Sequence, residues 1–164
     1  MTEMSTPLGF ERHDHVHCVH QGLLSADKYC TEKGLRLTPV RRKVLELLLQ
    51  KHKALGAYAI LESLREEGFG SQPPVAYRAL DFLVEHGFVH KVEKLNAFVA
   101  CSYPGETHSP AFMICRNCDA IAEAQSAPAR GILGVAARAS GFQIEKTVVE
   151  AEGLCPSCSD QPDA

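Results

Sequence analysis

Cys115 with Cys118, and Cys155 with Cys158, form two Cys-x-x-Cys pairs in the last third of a chain of 164 residues. Each pair brackets two residues suited to a tight turn, Arg116-Asn117 and Pro156-Ser157. Such a turn aims two sulfurs at one point, and two turns brought together supply four thiolates, the ligand set of a closed structural zinc site. The alternatives are paired disulfides or a redox Cys-x-x-Cys; two matched pairs in a chain of intracellular character favour metal. The 36 residues between Cys118 and Cys155 exceed the gap of a simple zinc ribbon, so a small domain must intervene. A second cluster, His13, His15, His17, Cys18 and His20, lies within eight residues near the N-terminus. Alternation would set several of these side chains on one side of an extended segment, and such tracts bind metal. The readings are an accessory zinc site, a metal-loading arm, or a disordered tail that binds metal adventitiously, and the tail is preferred. Cys30 reads as a buried helix residue.

Composition bounds the rest. Hydrophobic residues make up 45% and charged residues 23%, which is globular. No apolar run has bilayer length and no charged-then-apolar leader opens the chain, so a soluble cytoplasmic protein with no membrane partner is expected. Seven cysteines leave at least one outside any all-disulfide scheme. Net charge is −3, but residues 1–100 carry 13 Lys/Arg against 12 Asp/Glu, and residues 101–164 carry 4 against 8. In the first part Lys33, Arg36, Arg41, Arg42, Lys43, Lys51 and Lys53 fall close together. They form either a basic face for nucleic acid or a solvated helix surface.

These groups need elements to position them. The pattern predicts a short helix over residues 25–33 closed by Gly34. Thr38-Pro39 starts a second, with an N-cap followed by proline at the first helical position and Val40, Val44, Leu47 and Leu48 on its stripe. A third begins near Gly56 and turns Ala57, Ile60, Leu61 and Leu64 inward. Pro73-Pro74 opens a fourth, with Ala76, Ala79, Leu80, Leu83 and Val84 inward and Gly87 past its end. Extended runs at 88–93 and 97–101 then read as a hairpin. Three amphipathic helices followed by a hairpin is the order of a winged helix-turn-helix, whose last helix enters the major groove. Tyr77 and Arg78 sit in the first turns of that helix. Arginine can fork onto guanine or clamp a phosphate; tyrosine can donate to phosphate or pack on a thymine methyl. Beyond the hairpin, residues 111–115 and 121–125 read as strands flanking the first cysteine turn. A helix capped by Ser126-Ala127-Pro128 runs to about Ser140, with Ile132, Leu133, Ala136 and Ala139 on one stripe, and Phe142, Ile144 and Val148 lie on a third strand. A small sheet covered by one helix leaves a face and an edge in need of a partner, so a homodimer is expected. The whole is α+β: a 1–22 His/Cys-rich flexible arm, a 23–100 winged helix, a 101–109 hinge, and a 110–164 dimerisation and zinc-binding domain.

Thr38-Pro39-x-Arg41, the stretch Pro73-Pro74-x-x-Tyr77-Arg78-Ala79-Leu80 and the two Cys-x-x-Cys pairs resemble the ferric uptake regulator superfamily. The run from Leu80 to Glu93 is similar to its zinc-sensing branch. Iron- and peroxide-sensing relatives usually carry His-His-x-His before the first cysteine pair, where this chain has Glu106-Thr107-His108-Ser109. The resemblance implies a zinc-responsive repressor that binds palindromic promoter DNA as a homodimer and silences zinc-uptake genes. It implies two Zn2+ per subunit: a structural ion at the four cysteines and a regulatory ion at His90, Cys101, His108 and Glu123. Two imidazoles, a thiolate and a carboxylate are acceptable tetrahedral zinc ligands that bind more weakly than four thiolates, as a sensor requires. DNA contacts fall on Tyr77, Arg78, Arg41 and Arg36. The family commonly has Thr-Val where this chain has Val75-Ala76, which removes a hydroxyl cap worth about 1 kcal/mol. The alternatives are an iron- or manganese-responsive regulator of the same superfamily and a zinc-binding adaptor or buffer that ignores DNA. An enzyme with a small-molecule substrate is not expected: the deaminase signature needs His-x-Glu and Pro-Cys-x-x-Cys, and Leu154 precedes Cys155.

Overall fold

The computed structural model describes residues 10, 14–51, 53–70, 72–106, 108–126 and 130–160. Two compact units divide the chain between Glu106 and Thr107, with Phe10 grouped in the second.

The first unit holds four helices and a two-stranded wing: α1 (His15–Lys33), α2 (Pro39–Leu49), α3 (Ala57–Glu66), α4 (Pro73–Glu85), β1 (Val89–Val92) and β2 (Ala97–Ala100). Thr38 Oγ1 accepts from the Arg41 N–H at the start of α2, so the Thr-Pro cap forms as the sequence predicts. The core joins Ala26 and Cys30 of α1, Val44, Leu45 and Leu48 of α2, Ile60 and Leu64 of α3, and Ala76, Ala79, Leu80, Phe82 and Leu83 of α4. Burial raises the Cys30 thiol above its ordinary value, helped by the Asp27 carboxylate. Gly87, at φ 75°, turns the chain out of α4 into the wing, a conformation costly for any residue with a Cβ. The wing pairs antiparallel with Val89 opposite Ala100 and Val92 opposite Ala97. A third segment joins it, because Leu55 and Phe98 exchange both backbone hydrogen bonds at 2.9 Å. A single bridge residue between α2 and α3 carries too little pattern to announce that pairing.

Several expectations change here. The helix expected from residue 25 starts ten residues earlier, at His15. Asp14 caps it by accepting from the Val16 N–H at 2.9 Å. Val19, Leu23, Ala26 and Cys30, spaced by four, three and four, continue a helical stripe into the core, and this period overrides the two-residue alternation of the histidines. Gly22 lets α1 approach α2 closely, since a Cβ there would stand 2.6 Å from Leu49 Cδ1. Residues 15–22 are therefore helix rather than part of a flexible arm. In α4 it is Phe82 that is buried, while Val84, expected inward, is exposed.

The second unit is a three-stranded sheet in the order β4-β3-β5, formed by β3 (Ser109–Cys115), β4 (Ile121–Ser126) and β5 (Val149–Gly153), with α5 (Ile132–Ser140) and the short α6 (Pro156–Ser159). β3 and β4 pair antiparallel and β3 and β5 parallel. β4 returns the chain to the end of the sheet where β3 begins, and α5 with residues 141–148 carries it past β3 to the start of β5 at that same end. Phe142, Ile144 and Val148 thus lie in this connection rather than on the third strand. Ser126 belongs to β4 and α5 begins at Ile132 with Gly131 as N-cap; Ala127 and Pro128 of the expected cap lie outside the described residues. Gly134 and Ala137 are the buried positions of α5, whereas Ile132 is 91% exposed.

Leu80 is fully buried at the centre of α4. Leu80→Ala should lower the unfolding free energy of the first unit by about 2–5 kcal/mol, read as a shift of the urea midpoint at unchanged slope.

Candidate metal centre and nucleic-acid interface

The register of the sheet builds the four-cysteine site. Cys115 ends β3 opposite Gly153, which ends β5, so the two cysteine turns leave the same end of adjacent strands. The first turn is closed by the Cys115 N–H donating to Ala120 O at 2.9 Å and the Asp119 N–H to Cys115 O at 3.0 Å. It is tied to the second by the Arg116 N–H donating to Gly153 O at 2.9 Å. In the second turn Cys155 is the N-cap of α6, and its carbonyl accepts from Cys158 and Ser159 at 3.0 and 2.9 Å.

None of the seven cysteines is joined in a disulfide. The four sulfurs of Cys115, Cys118, Cys155 and Cys158 lie within 4.8 Å of one another, and Cys118 Sγ stands 3.7 Å from Cys155 Sγ. Tetrahedral zinc with four thiolates demands sulfur separations of about 3.8 Å. The donor set and spacing therefore fit the ion. Backbone N–H groups, first that of Cys155 and then that of Cys118, lower the Cys115 thiol from 9.0 to about 6, while Cys118 and Cys155 are raised. The rise is due chiefly to burial at Cys155; at Cys118 a backbone hydrogen bond from Ala120 opposes it. Asn117 adds a donor that sequence reasoning passed over: its Nδ2 reaches Cys158 Sγ at 3.3 Å. The carboxamide inside the first Cys-x-x-Cys was the available signal.

The other four expected ligands fall two in each unit. On the wing His90 pairs with Val99, and the Cys101 N–H donates to Phe88 O at 2.9 Å. Residues 88, 90, 99 and 101 thus share one face of the hairpin by strand parity. The Tyr103 N–H donates to Cys101 Sγ at 3.3 Å. In the second unit Phe112 pairs with Glu123, which puts Glu123 and His108 on one face of the sheet. His108 Nε2 and Glu123 Oε1 are 2.7 Å apart, and Glu123 is 3% exposed. A carboxylate so buried is costly without charge-compensating partners.

On α4 Tyr77 is 52% exposed and Arg78 is exposed beside it. The helix starts on Pro73-Pro74 with Gln72 as N-cap and no side-chain cap, and the Val75 N–H donates to Gln72 O at 3.0 Å. Tyr58, 80% exposed in the first turn of α3, is an aromatic that the sequence reading did not single out. The basic stretch is less free than its composition implied. Arg42 pairs with Asp27, and Lys43 pairs with Glu67 at 2.7 Å and Glu46 at 3.4 Å, which raises its pKa. Arg36 is exposed, while the Arg41 guanidinium donates to Arg36 O at 2.6 Å. Of the N-terminal cluster, His15, His17 and His20 are exposed on α1, Cys18 is half-buried, and His13 lies outside the described residues. Among the described residues no metal-binding group of three forms there.

A winged helix joined to a four-thiolate unit defines a metal-binding transcription regulator. The profile of the Ferric uptake regulator family matches residues 32–152, and the chain belongs to that family. It is 42% identical over 137 residues to the zinc uptake regulation protein of Escherichia coli (strain K12), covering 83% of this chain and 80% of that protein. It is 25% identical over 138 residues to the ferric uptake regulation protein of Staphylococcus aureus (strain Mu50 / ATCC 700699), covering 82% and 96%. Its fold matches a zinc uptake regulator complexed with zinc and DNA at a TM-score of 0.81 and 40% identity, covering 87% of this chain and 95% of that one. Against holo XcZur the TM-score is 0.77 at 41% identity, with 86% and 99% covered. Within its family the chain resembles the zinc uptake regulators more than this ferric one.

Two outcomes follow for the four-cysteine site. Cys155→Ser should remove one zinc per chain, measured by elemental analysis, and loosen the second unit. In the metal-free chain, thiolate absorbance should show one group titrating near pH 6 that Cys115→Ser abolishes. Because that value lies below the ordinary 9.0, this thiolate favours the fold fully above pH 9 and loses its contribution as pH falls through about 6. The raised Cys118 and Cys155 act in the opposite sense, favouring the fold below pH 9 and losing that as pH rises.

Proposed function

We propose that this chain is a cytoplasmic, zinc-responsive transcriptional repressor that works as a homodimer on promoter DNA and silences zinc uptake. The buried His108–Glu123 pair carries the zinc reading. An imidazole and a carboxylate held together out of solvent form half of a mixed-ligand site, and His90 and Cys101 supply the other half. Nitrogen and oxygen ligands of one tetrahedral zinc stand about 3.3 Å apart, so the pair need only open by a little over half an ångström to share an ion. Zinc there offers a divalent charge that satisfies imidazole, thiolate and carboxylate at once.

The ligands come from both units, so occupancy restrains the hinge between them. Before loading, the winged helices sample many orientations, and DNA binding must order them. With His90, Cys101, His108 and Glu123 engaged, the two α4 helices of a dimer are held for half-sites about one helical turn apart. Each α4 then presents Tyr77 and Arg78 to base edges and Arg36 lies near the backbone. Coupling of this kind changes affinity roughly 5- to 150-fold. The exposed Ile132, Leu133 and Val135 of α5 and Phe142 beyond it favour a second copy as the partner that covers them. The four-thiolate site holds a separate, permanent ion, which gives two zinc ions per subunit. The histidines of α1 add at most a weaker, accessory site.

Cys101→Ser and Glu123→Ala should each bind one zinc per chain where the parent binds two. Their affinity for a promoter fragment should no longer respond to buffered free zinc, with iron(II) and manganese(II) as control metals. A Cys101→Ser variant that responds to zinc as the parent does removes the sensor assignment and leaves the fold intact.

A further inference from the structure

Arg41 lies in the basic stretch and is half-buried, with its guanidinium laid over a ring of α4. It sits 3.7 Å from the centroid of the Phe82 ring, and Nη1 donates to Arg36 O at 2.6 Å. Its backbone N–H is the one that Thr38 caps. Phe82, 8% exposed, lies one turn beyond Arg78 on α4. The Phe82 ring also packs against His86, centroids 4.5 Å apart, and the His86 ring meets Tyr29 of α1 at 5.9 Å. Tyr29 Oη is 3.5 Å from His86 Nδ1, and its ring meets Phe88 edge-on at 5.2 Å. The series Arg36 carbonyl, Arg41, Phe82, His86, Tyr29 and Phe88 therefore links the turn before α2, the end of α4, α1 and the start of the wing.

We propose that Arg41 is a positioning residue for the recognition helix, fastening α4 through Phe82, and is not a phosphate contact. This rests on the DNA-binding reading of α4. The N-terminal end of that helix, which carries Tyr77 and Arg78, has no side-chain cap of its own and begins on two prolines. Its rotation is set by the buried side chains of α4, Ala76, Ala79, Leu80 and Leu83, and by Phe82, the buried ring one turn from Arg78. A guanidinium suits the task because its plane stacks on a ring while its edge donates to a carbonyl. An ammonium is a compact, strongly hydrated charge and does not do both. A guanidinium stacked on Phe82 and donating to the Arg36 carbonyl is held in place by the protein's own groups, which fits a positioning role.

The test is the affinity of the zinc-loaded dimer for a duplex that the parent selects from random-sequence DNA, measured across salt concentration. Arg41→Ala and Phe82→Leu should each weaken binding about tenfold. The salt slope should stay at the parent value, the double variant should bind no worse than either single one, and Arg41→Lys should not rescue. A slope reduced by about one and restored in Arg41→Lys, with Phe82→Leu binding like the parent, is the signature of a phosphate contact and overturns the proposal. Additive losses in the double variant overturn it as well. Arg41→Lys keeps size and charge, so the outcome does not hang on the alanine variant folding. A parent that selects no duplex defeats the DNA-binding reading itself, a result distinct from any pattern among the variants.

Discussion

Four sulfurs within 4.8 Å of one another hold together as thiolates only around a cation. The second unit is built on that constraint. Its sheet has three strands, its helix buries only Gly134 and Ala137, and its buried apolar side chains are few, chiefly Phe112, Ile114 and Ile121. So small a core needs a staple. The parallel pairing of β3 with β5 brings the cysteine turns together, and an ion bound there would hold the ends of those strands in register. Without metal the directions of the thiol shifts describe one thiolate among thiols, since Cys115 is lowered while Cys118 and Cys155 are raised.

What the staple secures reaches beyond the cysteines. β4 pairs with β3, and that register sets Glu123 against Phe112 and on the same face as His108. A one-residue slip would send Glu123 to the opposite face. The same logic operates on the wing, where the ladder fixes His90 against Val99 and carries Cys101 onto the same face. Each half of the proposed regulatory site is thus a consequence of strand parity. Under the proposed function a reversible ion would work at the hinge while a permanent one would maintain the scaffold.

Much of this was legible in the residues. The Thr38-Pro39 cap, the prolines opening α4, Gly87 and the matched cysteine pairs each carry a local physical instruction, and each appears where its chemistry requires. Other features depended on distant partners. The histidine alternation at residues 13–20 imitates an extended segment, but the stripe from Val19 to Cys30 and the close approach at Gly22 make residues 15–22 helical. Phe82 took the inward place expected of Val84 because Arg41 and His86 pack on its ring. The basic stretch looked like a single face, yet Asp27 and Glu67, remote in sequence, engage Arg42 and Lys43. The strand expected at residues 142–148 begins instead at Val149, because the chain must first pass from β4 across to the far side of β3, which pattern alone does not show. His90, Cys101, His108 and Glu123 are individually ordinary; only resemblance to a family singled them out.

The central claim is that filling the hinge ligands, over and above the four cysteines, turns on DNA recognition. The direct measurement compares two preparations of the unaltered chain, one with a single zinc per subunit and one with two, for affinity to the same selected duplex at fixed salt. The account predicts tighter binding by the two-zinc form, by roughly 5- to 150-fold. Equal affinity of the two forms would contradict it.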